Sequence, residues 1–163
     1  MKRITHFIDG KSYVGQATRS GDVFNPATGE ISATVDFASI DVVDEAVAVA
    51  KRASHLWRQA TLARRTQVLF AFREIVNSKK EELARAITAE HGKVFSDALG
   101  EVTRGLEVVE FACGIPHLLK GGYSESASTS IDVYSIRQPL GVCAIISDRK
   151  STCLNSSHLV ISY

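Results

Sequence analysis

The sequence predicts an α/β fold with an incomplete sheet. Three observations carry that reading. Short strand-like segments punctuated by turn residues fill the first part of the chain, to about residue 40. Capped segments of helical period follow as far as Cys113. Two β-rich runs, 131–136 and 142–146, come after them. A buried strand is an unusual place for an α/β unit to stop, so the sheet is expected to lack neighbours.

The elements follow in order. Phe7-Ile8 leads into Asp9-Gly10, a strong hairpin pair, and Ser12-Tyr13-Val14 returns. A second hairpin is expected around Pro26-Ala27-Thr28-Gly29, with Ile31, Ala33 and Val35 alternating after it. Ser39 is the expected N-cap of the first helix, and Asp41, Asp44 and Glu45 suit its positive end. Val43, Val47, Ala50, Ser54 and Trp57 fall on one face of that helix. Thr61 caps a second helix with a stripe of Val68, Leu69, Phe72, Ile75 and Val76. Ser78 and Glu81 have capping-box spacing and start a third, carrying Leu83, Ala86 and Ile87 and stopping at Gly92. A fourth runs from about Ser96 through Leu99, Val102, Leu106 and Val109 to Cys113, with Gly114 and Pro116 ending it. Gly121-Gly122 then turns the chain into the β-rich runs.

The chain has 163 residues, enough for one domain with a core. A formal charge of +1, with Lys and Arg scattered among acids, gives no electrostatic case for nucleic acid or an anionic membrane. No apolar run is long enough to cross a bilayer. Lys2 and Arg3 are not followed by the apolar stretch of a secretory signal. Cys113, Cys143 and Cys153 are too widely spaced for a disulfide framework or a metal site, which suits a reducing cytoplasm.

The residues taken singly carry little chemistry. The five histidines, His6, His55, His91, His117 and His158, show no metal-ligand spacing. Cys113 on an apolar helix face and Cys143 inside an expected buried strand read as small core hydrophobes, since a reactive thiol needs exposure and nearby positive charge. Glu101, Glu107 and Glu110 share a helix without a partner that would tune them as an acid–base pair. Glycine-rich phosphate loops are absent.

Whole segments are more informative. Phe24-Asn25-Pro26-Ala27-Thr28-Gly29-Glu30 and Ala89-Glu90-His91-Gly92-Lys93 resemble segments of the aldehyde dehydrogenase superfamily. The stretch from Gly100-Glu101-Val102-Thr103-Arg104-Gly105-Leu106 to Val109-Glu110-Phe111-Ala112-Cys113 is similar to its CoA-acylating methylmalonate-semialdehyde branch, as is Tyr134-Ser135-Ile136-Arg137-Gln138-Pro139-Leu140-Gly141-Val142. The resemblance implies that residues 1–147 are the N-terminal part of a Rossmann-like coenzyme domain: N-terminal strands, several helices and a β-hairpin of the oligomerisation surface. It also implies a homo-oligomer that uses NAD and, as co-substrate, CoA. A cysteine thiolate would attack the semialdehyde carbonyl, and an Asn side chain with a backbone N–H would stabilise the developing oxyanion. Residues 142–146 resemble the first strand of that sheet, and Ser147 falls on a position that touches NAD in the family.

The pattern breaks next. Where the family has Pro-Phe-Asn, this chain has Asp148-Arg149-Lys150, so Lys150 stands where the oxyanion-hole Asn is expected. The nucleophilic cysteine, the general base and the other coenzyme contacts are expected beyond Tyr163. The run from Asp148 to His158 back-translates to a common short-read sequencing adapter apart from the Cys153 codon, and Ile161-Ser162-Tyr163 fits its next bases. Residues 148–163 therefore read as a non-native tail, the alternative being a divergent natural one. The expectation is a semialdehyde dehydrogenase whose chain, as it stands, is inactive. The competing reading is an assembly or interaction module without catalysis.

Overall fold

The computed structural model describes residues 2–13, 15 and 17–146. Strand β1 (Lys2–Ile4) runs parallel to β5 (Ile31–Phe37), with Lys2 opposite Ala33 and Ile4 opposite Val35. Between them in sequence, β2 (Phe7–Ile8) and β3 (Lys11–Ser12) form a small hairpin, and β4 (Arg19–Phe24) pairs antiparallel with β5. The larger sheet has the order β1-β5-β4. Asp9 and Gly10 both take positive φ, 56° and 74°, as the expected tight turn requires.

The β4–β5 turn is held by its own groups. The Asn25 side chain accepts from the Ala27 N–H, and Gly29, at φ 74°, donates its N–H to the Asn25 carbonyl. Of the alternating residues on β5, Ala33 is buried and Ile31 is exposed. Asp36 is buried as well, which the alternation did not foresee.

Four longer helices follow: α1 (Ile40–Gln59), α2 (Leu62–Ser78), α3 (Lys80–His91) and α4 (Phe95–Cys113). The expected caps at Ser39 and Thr61 are in place, accepting from the N–H groups of Val42 and Arg64. Gly92 ends α3 at φ 84°. The capping box at Ser78 is not formed. Ser78 is still within α2, where its hydroxyl donates to the Ile75 carbonyl, and Lys79 caps α3 without a side-chain bond. One residue between two helices leaves too little turn for Ser78 to reach forward.

The core lies where α3 crosses α4. Ala84 and Ala98 are fully enclosed and Val102 nearly so, with Val76, Ile87 and Leu99 around them. The stripe predicted for α4 is the observed inner face: Val102, Leu106 and Cys113 are buried, and Leu99 and Val109 partly so. On α2 the seam is displaced. Leu69, Arg73 and Val76 are partly covered while Val68, Phe72 and Ile75 stand exposed. Helix α1 has no buried residue, and Val43, Val47 and Trp57 of its predicted stripe are about half exposed.

After a single turn, α5 (Ile115–Leu118), strands β6 (Tyr123–Ser128) and β7 (Ile131–Tyr134) form an antiparallel hairpin with every residue exposed. Gly121 allows its base to close, since a Cβ there would lie on the Ser135 carbonyl oxygen. The strand expected over 131–136 thus ends at Tyr134. The one expected over 142–146 is not a strand, and Ile145 and Ile146 are 89% and 82% exposed. A β-prone run becomes a strand only when a neighbour takes up its backbone groups, and no described residue pairs with this one. Cys143 is accordingly exposed, not a core residue. The fold is a mixed α/β arrangement with small, incomplete sheets.

Candidate functional site

Of the residues implicated by sequence, Ser147 lies outside the described residues, as do Cys153, His158, Lys150 and the rest of the 148–163 tail. The described chain reaches that point through 142–146, which is exposed and forms no regular secondary structure.

Three of the four segments that carried the resemblance meet in space. The β4–β5 turn sits against the C-terminus of α3, where a Cβ on Gly92 would lie 3.0 Å from Pro26 Cγ. Gly92 is therefore constrained twice, by its positive φ and by this close approach. Its left-handed backbone directs the chain out of α3, and Lys93 then reaches Glu101 on α4. The ammonium donates to Glu101 Oε1 at 2.5 Å, with the two side chains only 14% and 16% exposed. Sequence reasoning missed this pair. Its signal was a Gly-Lys helix stop followed within two turns by a glutamate on the inner side of the next helix.

Two other charged contacts tie elements together. Arg73 of α2 donates to Glu110 of α4 from both Nε and Nη2, at 2.9 and 2.6 Å, and also pairs with Glu74. Glu101 and Glu110 are thus each held by a base. Arg3 of β1 donates from Nε to both oxygens of Asp36 at 2.9 Å. The Arg3 hydrogen bond holds the Asp36 carboxyl below the usual carboxylate range; burial pushes the other way, and Thr5 and the charges of Arg3 and His6 reinforce the lowering. On the hairpin, Asp132 is lowered mainly by the Ser126 N–H and then by the Tyr123 hydroxyl, and Tyr123 is raised in return.

A cleft beside Asp36, lined by His6, Tyr13, Thr18, Phe37 and Ser39, has a volume of about 30 Å³. That is room for a water or two, far short of a dinucleotide. Among the described residues no three His, Cys, Asp or Glu side chains are grouped to hold a metal ion, and no helix is long and apolar enough to cross a membrane. Cys113 is buried in the α4 seam, and the exposed Cys143 thiol donates to the Gly141 carbonyl at 3.8 Å. Among the described residues neither is shown beside the base that makes a thiolate nucleophile. The charged contacts above brace a scaffold, joining β1 to β5, α2 to α4, and the α3–α4 connection to α4.

Comparison with known proteins places that scaffold. The model of the aldehyde dehydrogenase family matches residues 13–148. Malonate-semialdehyde dehydrogenase 2 of Geobacillus thermodenitrificans is 43% identical over 146 residues, covering 90% of this chain and 30% of that protein. The crystal structure of methylmalonate-semialdehyde dehydrogenase from Oceanimonas doudoroffii superposes with a TM-score of 0.81 at 44% identity, covering 86% of this chain and 28% of that one. A Sinorhizobium meliloti protein, solved in complex with NAD and provisionally assigned as a methylmalonate-semialdehyde dehydrogenase, gives 0.82 at 46% identity over 86% of this chain and 29% of its own. The chain therefore spans under a third of the length of these relatives.

Proposed function

The chain belongs to the aldehyde dehydrogenase family, and we propose that it is the front of an enzyme that oxidises malonate or methylmalonate semialdehyde with NAD and transfers the acyl group to CoA. The observation that carries this reading is the agreement in both fold and sequence with the Oceanimonas doudoroffii enzyme. The similarity to a malonate-semialdehyde dehydrogenase supports the same substrate class. NAD would supply the hydride acceptor. Ser147 is the one position of this chain assigned to its contact.

The 163-residue chain alone is inactive in this proposal. Oxidation of an aldehyde through a thioester needs an activated thiolate, and among the described residues neither Cys113 nor Cys143 has one's surroundings. The widely spaced cysteines favour a reducing compartment, hence the cytoplasm. The β6–β7 hairpin, with Tyr123, Ile131, Val133 and Tyr134 exposed, supports a homo-oligomer in which its apolar side chains are covered. That same hairpin is what favours the second reading, an assembly module without catalysis.

The experiment is to sequence the source DNA across the Ile146 codon, express the complete reading frame, and assay it with each semialdehyde. Pro-Phe-Asn-Phe-Pro in place of the 148–163 tail, with CoA-dependent formation of acyl-CoA and NADH, is expected. Oxidation indifferent to CoA would overturn the acylating assignment, and a natural stop after Tyr163 with no turnover would favour the assembly module.

A further inference from the structure

We draw no further inference here: the strongest candidate, the apolar face of α1 at Val43, Val47 and Trp57, carries nothing because nothing in the structure shows what covers it.

Discussion

Replacing Ala98 by leucine sets two effects against each other at the α3–α4 crossing. Ala98 and Ala84 are both 0% exposed, so the helices approach there at the distance two methyl groups allow. Leucine adds three carbons. If they found empty space, burial at about 0.8 kcal/mol per carbon would stabilise the fold by about 2 kcal/mol. At an enclosed crossing they instead force α3 and α4 apart or drive side chains off their rotamers, at a cost of about 1–3 kcal/mol. Separation would also loosen Val76, Ile87, Val102 and Leu99, which surround the same point. The net expectation is a loss of about 1–3 kcal/mol, or a fall in Tm of roughly 2–12 °C for a chain of this length. Thermal unfolding followed by far-UV circular dichroism measures it, with Glu90→Ala at an exposed position of α3 as a control that changes Tm little. A Tm for Ala98→Leu equal to or above that of the parent would refute direct contact of the two helices at this point.

Gly92→Ala combines a positive φ with a near clash on Pro26, and is expected to cost about 1–2 kcal/mol; the urea midpoint reads it, and Gly92→Asn should recover part of the loss. Lys93→Met strands the Glu101 carboxylate in a largely enclosed site and should destabilise by about 1–3 kcal/mol, less so for Lys93→Arg. Asp36 titrates below its unfolded value, so its contribution is complete above about pH 4 and is lost as the pH falls through the lowered folded value. Asp36→Asn is therefore expected to lower Tm at neutral pH, with the gap to the parent closing in acid; a gap independent of pH contradicts the assignment. Purified residues 1–163 are expected to form no NADH with any aldehyde, and measurable turnover refutes the proposed inactivity.

What the sequence made legible follows the range of the interaction. Ser39, Thr61, Gly92 and Asp9-Gly10 act on backbone groups a few residues away, and each took the conformation its type and position imply. The α4 stripe was equally readable, because α4 is the helix most enclosed by its neighbours and only one face of it can be apolar. The faces of α1 and α2 were not. Periodicity identifies an apolar side but does not say what meets it, and the α2 seam uses Arg73 and Leu69 while Phe72 and Ile75 remain open. The parallel pairing of β1 with β5 joins residues some thirty positions apart through only three pairs, which leaves no local signal. Ser78 and 142–146 failed for related reasons: the capping box lacked turn length, and the β-prone run lacked a neighbour. In the site, the resemblance located the segments that come together at Gly92 and Pro26, whereas Lys93–Glu101 and Arg3–Asp36 became visible only when the helices and sheet were assembled.

A domain replacement tests the central claim most directly. Residues 17–146 would be substituted for the matching stretch of the Oceanimonas doudoroffii methylmalonate-semialdehyde dehydrogenase, to which this chain is 44% identical with a TM-score of 0.81. The measurement is the initial rate of methylmalonate semialdehyde oxidation. If this chain is the front of such an enzyme, the chimera will assemble as the parent does and retain the parent's turnover. A chimera that folds like the parent but does not oxidise the semialdehyde would contradict the account.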